Sequence, residues 1–250
     1  MNVDVLLTAL VEAARKRKAV GAAASGRLKD LLAQKGLGTL VDIRKWLERP
    51  DGISAPLAGH LMECLPKADE APYGPYVPLA HLADGGMGTV WLACSPTNEL
   101  VVVKTLKSSL TVQPGSTTAT EFMRRFERES KITMQLAHDS VVRCLDHGVR
   151  QDGTAFMVLE YVDSGDLKEL VDSRAGLTEG LALAILYQVV DALGEAHRLH
   201  LVHRDIKPAN IFVSSSGRAK LADFGIARST EDSRTMLTMQ GALVGSPLYM

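Results

Sequence analysis

Apolar positions in the first seventy residues recur at helical spacing. Val3, Leu6, Leu7 and Leu10 make one stripe, and Leu28, Leu31 and Leu32 a second, the recurrence that a 3.6-residue turn places on one face. Gly36 and Gly38 close one run and Pro50-Asp51-Gly52 another, as helix stops do. Thr39 and Ser54 stand at N-cap positions, with Pro56 in the first turn after Ser54. The pattern predicts three or four short helices over residues 1–72. The basic run Arg15-Lys16-Arg17-Lys18 reads as a solvated helix end that suits the helix dipole, or as a contact for an acidic partner.

Ala71-Pro72-Tyr73-Gly74-Pro75 has the composition of a connecting segment, and the expected linker is 73–75. Beyond it the period changes. Alternation around Val77, Leu79 and His81, then Thr89-Val90-Trp91-Leu92-Ala93 and Leu100-Val101-Val102-Val103, predicts three strands. A helix is expected from about Thr118 to Leu136, and two more strands near Val141–Gly148 and Ala155–Val162. Leu177, Leu181, Ile185, Val189 and Leu193 recur every four residues, the mark of one long amphipathic helix. Strands with one inserted helix, followed by helix and loop, make an α+β arrangement.

Charge narrows the function classes. Twenty-eight Lys/Arg against twenty-nine Asp/Glu leave a formal net charge of -1, so no bulk attraction to nucleic acid or to an anionic membrane is expected. The longest apolar run, Leu181 to Leu193, is broken by Gln188 and Asp191 and falls short of a membrane span. At the N-terminus the basic run follows the apolar stretch, the reverse of a secretory signal. Cys64, Cys94 and Cys144 are odd in number and widely spaced. They suit a reducing compartment and form neither a disulfide framework nor a zinc site.

The chemistry concentrates in four stretches. His203-Arg204-Asp205-Ile206-Lys207-Pro208-Ala209-Asn210 is followed, eighteen residues on from Asp205, by Asp223-Phe224-Gly225. Upstream stand Val101-Val102-Val103-Lys104 and, before them, Asp84-Gly85-Gly86-Met87-Gly88-Thr89-Val90. Each alone is weak; the four in this order, on these expected elements, form a set. From about Tyr76 to Met250 the sequence resembles the eukaryotic-like serine/threonine protein kinases, in their bacterial branch. The fold implied is a two-lobe protein-kinase-like α+β domain, with an N-lobe at 76–162 and part of a C-lobe at 163–250. A small all-α segment at 1–72 precedes it.

The resemblance implies ATP and Mg²⁺ as cofactors, protein Ser/Thr hydroxyls as acceptors, and a role for each matching residue. A glycine-rich turn lets backbone N–H groups approach phosphates because no side chain intervenes. Gly85 and Gly88 fill two of the family's three glycine positions, with Gly86 between them, and Ala83 replaces the first. Lys104 would reach the α- and β-phosphates, oriented by Glu129 of the following helix, while Glu121 and Glu127 suit a surface face better. Asp205 would orient or accept the proton of the acceptor hydroxyl, and Lys207 would offset charge on the transferring phosphoryl group. Asn210 and Asp223 are hard oxygen donors of the kind Mg²⁺ takes.

By the same carry-over, Leu82, Val90 and Val102 would roof the adenine and Phe212 would floor it. Val102 stands where the family usually has alanine. Glu160-Tyr161-Val162 would be the hinge, after Leu159 as gatekeeper, and Asp166 would meet the ribose. Those apolar positions serve equally well as plain core. His203, close to His197 and His200, is implied to be a packing residue; spacings of three in a helix-to-loop segment make poor zinc geometry. Thr238 first, and Thr235 second, are the expected phosphorylation sites of the activation segment, with Arg204 as the phosphate's partner. Ser246 and Lys207 argue for Ser/Thr over Tyr acceptors.

The family pattern continues past Pro247-Leu248-Tyr249-Met250 with Ala-Pro-Glu and further helices, so the expected C-lobe is incomplete. An incomplete record is the favoured explanation. The alternative is a pseudokinase or scaffold that binds nucleotide with little transfer, for which Ala83 and the missing helices speak. Residues 1–72 would be a regulatory, docking or self-association module. A cytoplasmic location is expected for the chain, with a membrane segment past residue 250 left open.

Overall fold

The computed structural model describes residues 3–67, 70, 72–85, 88–106, 117–173 and 176–224. The chain divides into two compact units, residues 1–111 with 148–161, and residues 112–147 with 162–250.

The first unit starts with four helices: α1 (Val3–Lys16), α2 (Ala22–Gln34), α3 (Leu40–Glu48) and α4 (Ala55–Cys64). Local chemistry sets their ends. Thr39 accepts from the Asp42 N–H and Ser54 from the Leu57 N–H, so both predicted N-caps form. Lys18 (φ 59) and Gly36 (φ 65) take the left-handed backbone just past α1 and α2, a conformation in which helical hydrogen bonding cannot continue. Leu6, Leu7 and Leu10 are buried as the stripe predicts, whereas Val3 at its start is 42% exposed.

A five-stranded sheet follows, in the order β1-β2-β3-β5-β4. Its members are β1 (Val77–Gly85), β2 (Gly88–Cys94), β3 (Leu100–Leu106), β4 (Cys144–Val149) and β5 (Ala155–Glu160). Neighbours β1–β2, β2–β3 and β3–β5 are antiparallel. Opposite residues in such a ladder share a face. Val90 opposes Lys104 and Leu92 opposes Val102, so these four project to one side. The other side carries Trp91, Val101, Val103, Phe156 and Val158, packed with Tyr73. Tyr73 is 2% exposed and meets the Phe156 ring edge-on at 5.5 Å.

The helices do not stand apart from this sheet. Leu6, Leu7, Leu10, Ile43 and Leu61 share one buried cluster with Leu79, Ala80, Leu92 and Cys94. β1 lies at one end of the strand order, and its Leu79 and Ala80 are buried in that cluster. The basic run at the end of α1 is only in part the solvated end its sequence suggests: Lys18 is exposed, and Arg15, Lys16 and Arg17 are half-buried. Arg15 bonds Glu12 at 2.8 Å and Arg17 lies 3.8 Å from Glu63, with Arg17 only 24% exposed. The acidic contacts of the run are therefore internal.

The second unit holds α5 (Thr117–Gln135), a short β6 (Gly165–Asp166), α6 (Leu167–Asp172), α7 (Glu179–Arg198), a 3-10 turn (Pro208–Asn210), β7 (Ile211–Val213) and β8 (Ala219–Leu221). Thr178 caps α7. Ile185, Val189, Ala192 and Ala196 are the buried face of α7, packed with Leu136, Val141, Ile211 and Leu221. Leu177 precedes the N-cap, so the helix is one turn shorter at that end than its apolar period suggests. Leu183, Leu186, Tyr187 and Val190 leave α7 with an exposed apolar face. Gln188 fastens the β7–β8 hairpin to the helix. Its amide donates to the Gly217 carbonyl at 2.9 Å and its oxygen accepts from the Ala219 N–H at 3.0 Å.

Candidate active site

The loop between α7 and β7 folds around Asp205. Lys207 Nζ donates to Asp205 Oδ2 at 2.7 Å. Asn210 Nδ2 donates to the Asp205 carbonyl at 2.7 Å and to Oδ2 at 3.2 Å. The carboxylate is thereby aimed by an ammonium and an amide while its side chain stays 15% exposed, so it remains open to an incoming hydroxyl. A preset acceptor next to a fixed cation is the arrangement that general-base orientation and anion stabilisation require.

His203 braces this loop. It is 1% exposed, and its Nε2 donates to the Ala222 carbonyl at 2.8 Å. Nδ1 is then an acceptor, and the Asp205 N–H lies 3.3 Å from it. Burial holds the His203 pKa below the ordinary imidazole value, and its hydrogen bond to Ala222 offsets only part of that. The ring packs on Phe224 at 4.7 Å. No cluster of three His, Cys, Asp or Glu that would suit a metal forms among the described residues, and His203 is a packing and bracing residue.

Asp223 comes next to this loop through its own neighbour. The Ala222 N–H donates to the Asn210 carbonyl at 2.8 Å while its carbonyl takes the His203 proton. Leu221, one residue earlier, is held by the Ser140 carbonyl and by the Val142 N–H, each at 2.9 Å. Asp223 itself has φ 61 and Arg204 φ 62, a backbone strained for residues other than glycine and held here by the surrounding bonds. The donor set fits Mg²⁺. The Asn210 nitrogen is engaged by Asp205, which leaves its amide oxygen as the remaining donor, and Asp223 supplies an exposed carboxylate. Bound there, the ion would neutralise phosphate charge.

Phe212 lies on β7 opposite Lys220, and Asp166 pairs with Phe212 in the β6–β7 ladder. Asp166 also caps α6, accepting from the Glu169 N–H at 2.8 Å. Arg204 has one guanidinium nitrogen, Nη1, buried with no hydrogen-bond partner among the described residues. Of the expected hinge residues, Val162 falls in this unit, and Glu160 and Tyr161 fall in the first.

The remaining predicted residues stand in the first unit. Lys104 lies on β3, flanked by Val90 of β2 and Met157 of β5. Ala83 pairs with Val90 and Gly85 with Gly88 across the glycine-rich turn. At Gly88 (φ 152) a Cβ would lie 1.7 Å from the Thr105 carbonyl oxygen, so only glycine fits. Val102 opposes Leu159, and Val101 opposes Glu160. Leu82, Val102 and Tyr161 are partly buried against the cluster that joins the helices to the sheet. Glu127 on α5 is exposed. Gly86, the Glu129 side chain, Thr235, Thr238 and Ser246 lie outside the described residues.

An antiparallel sheet with a glycine-rich hairpin and a strand lysine, together with a second unit bearing an Asp-Lys-Asn loop, is the layout of a protein kinase. Residues 76–250 match the protein kinase domain family, and the chain belongs to that family. It is 36% identical over 175 residues to the probable serine/threonine-protein kinase PknB of Corynebacterium glutamicum, a match covering 68% of this chain and 26% of that protein. It is 35% identical over 177 residues to the serine/threonine-protein kinase PrkC of Bacillus subtilis, covering 71% and 26%. The crystal structure of a mutant form of the Mycobacterium tuberculosis PknI kinase domain is similar at a TM-score of 0.53 and 32% identity, over 65% of this chain and 64% of that one. The family is therefore the bacterial-type, eukaryotic-like serine/threonine kinases, which in general use ATP and Mg²⁺. The chain spans about a quarter of the length of these two curated relatives.

Proposed function

We propose that the protein transfers the γ-phosphoryl group of ATP to Ser or Thr hydroxyls of proteins. The observation that carries this reading is the Asp205–Lys207–Asn210 set, in which an ammonium and an amide both bond the Asp205 carboxylate. In the proposed reaction Asp205 orients the acceptor hydroxyl and takes its proton, and Lys207 offsets charge on the group in transit. Asn210 and Asp223 would hold Mg²⁺, whose chemistry is to neutralise the phosphate oxygens. Lys104 and the turn at Gly85–Gly88 hold the triphosphate, Glu129 orients Lys104, and Leu82, Val90, Val102, Phe212 and the Glu160–Val162 hinge enclose the adenine. Asp166 is read as the ribose contact.

Arg204 is assigned to regulation. Its Nη1 is a buried donor without a partner among the described residues, and a phosphate on Thr238 or Thr235 would satisfy it. We read residues 1–72 as a helical module, 76–162 as the small lobe and 163–250 as part of the large lobe, working in the cytoplasm. No described helix is long and apolar enough to cross a membrane. The decisive experiment is transfer of labelled phosphate from Mg²⁺-ATP to a protein acceptor by the chain and by Asp205→Asn. The reading requires label with the former and near-background label with the latter. Equal labelling would end it.

A further inference from the structure

Arg17, just past α1, reaches across sixty-four residues of sequence to β1, where its Nη2 donates to Nδ1 of His81. With Nδ1 accepting, the ring proton sits on Nε2, 3.3 Å from Oδ2 of Asp84. Oδ1 of Asp84 accepts from the Thr89 hydroxyl at 2.9 Å. The Thr89 N–H donates to Thr105 Oγ1 at 2.8 Å, and that hydroxyl donates back to the Thr89 carbonyl at 3.1 Å. Asp84 and Thr89 are paired across the glycine-rich turn, one on each arm, and Thr105 is the residue after Lys104.

The chain is shielded at its His81 end and open at Asp84, whose side chain is 65% exposed. His81 is 13% exposed and stands edge-on to Trp91 at 5.0 Å. It is also directional, because an Arg proton given to Nδ1 fixes the tautomer that serves Asp84. Glycine-rich backbone has more freedom than any other, so a turn that must hold phosphates benefits from anchors on both arms. The Thr105 hydroxyl anchors one arm from inside the sheet. The other arm, at Asp84, is anchored from the helices.

We propose that Arg17 is a positioning residue for the glycine-rich turn. Through His81, Asp84 and Thr89 it makes the helices that precede the kinase domain part of the nucleotide-holding apparatus. This rests on reading the turn at Gly85–Gly88 as the phosphate clamp. Apolar packing runs the same way, since Leu82, Val102 and Tyr161, assigned to the adenine slot, pack on the cluster shared by helices and sheet. The role proposed for Arg17 needs no contact with nucleotide or acceptor.

The test compares the full chain with Arg17→Ala, Arg17→Lys, His81→Phe, the Arg17→Ala/His81→Phe double variant, and Arg27→Ala as an exposed helix control. Melting temperatures establish that each is folded. Mg²⁺-ATP affinity is read by calorimetry, and amide exchange at residues 84–89 is read on the free protein. Arg17→Ala and His81→Phe should each weaken Mg²⁺-ATP about two- to tenfold, the factor one hydrogen bond is worth, and speed exchange at 84–89. In turnover the change should fall on the KM for ATP and not on kcat. Arg17→Lys should recover part of the affinity. The double variant should be no worse than either single one, because both cut the same chain. His81→Phe keeps a ring against Trp91, so it reports on the bonds if Arg17→Ala fails to fold. Wild-type affinity and exchange in both single variants, or full additivity in the double, would overturn the proposal. If the unaltered chain binds no Mg²⁺-ATP, the kinase reading fails instead, and exchange at 84–89 still decides the role of Arg17.

Discussion

Asn210 holds Asp205 at two points, its amide nitrogen 2.7 Å from the backbone carbonyl and 3.2 Å from the carboxylate. The same amide has its oxygen left over among the described residues, so in the proposed site one side chain both aims the base and offers a donor to a cation. Replacing Asn210 therefore disturbs two functions at once, and replacing Asp205 disturbs one.

Asp205→Asn should lower kcat by about a hundred- to ten-thousandfold, the range for loss of a positioned general base. Its affinity for Mg²⁺-ATP should stay near that of the unaltered chain, since the role proposed for Asp205 is toward the acceptor hydroxyl. Asn210→Ala should lower kcat and also raise the Mg²⁺ concentration needed for half-maximal rate. Steady-state kinetics over a Mg²⁺ titration separate the two.

Gly88→Ala should impair the glycine-rich turn without touching the catalytic loop. A Cβ there meets the Thr105 carbonyl at 1.7 Å, a backbone atom that cannot swing aside. The turn must shift, and the Thr89 N–H bond to Thr105 shifts with it. We expect a loss of about 1–3 kcal/mol in stability and weaker Mg²⁺-ATP binding, measured by denaturant titration and calorimetry.

Acid should loosen the catalytic loop through His203. Its folded pKa lies below the unfolded value of 6.5 because burial disfavours the charged ring. Above 6.5 the group is neutral in both states and its contribution is fully present. As pH falls through 6.5 toward the folded value, only the unfolded chain takes the proton, and stability declines. Melting temperature should drop from about pH 7 to about pH 5.5 in the parent. His203→Asn should be less stable at neutral pH and show a shallower drop over that interval.

Cys144 should be inert in the folded chain. Burial pushes its thiol up to about 12, and all three cysteines are free and buried. A thiol reagent at about pH 8 should label them slowly in native buffer and at once in denaturant, because the thiolate is the nucleophile. Fast native labelling of Cys144 would contradict the packing described.

Arg204 should matter only once the activation segment carries phosphate. Its Nη1, buried with no partner among the described residues, predicts that Arg204→Ala brings the ratio of phosphorylated to unphosphorylated activity close to one. Thr238→Ala should do the same if Thr238 is the site. Kinetics on both forms, with phosphate located by mass spectrometry, check this.

Much of this protein is legible along the chain because the relevant physics is local. Thr39 and Ser54 cap helices through N–H groups three residues away. The bonds around Asp205 join residues within positions 203–210, so residue types at fixed spacing already specify them. Where the reach is long, the sequence misleads. Arg17 reads as one cation in a solvated run, yet it meets Glu63 and, sixty-four residues on, His81. Val3 reads as core and is exposed, because the face of α1 is chosen by what packs on it.

Element types, the glycine-rich hairpin, the strand lysine and the Asp-Lys-Asn loop were determined by the sequence alone, through periodicity, caps and short-range motifs. Tertiary structure decided that the four helices share a core with β1 and β2, that Ala222 joins the Asn210 loop to Asp223, and that Arg17 is committed to His81. Those contacts join distant segments whose pairing no local preference encodes. They form because burying an apolar face and satisfying a half-buried guanidinium are favourable only once the whole lobe has assembled.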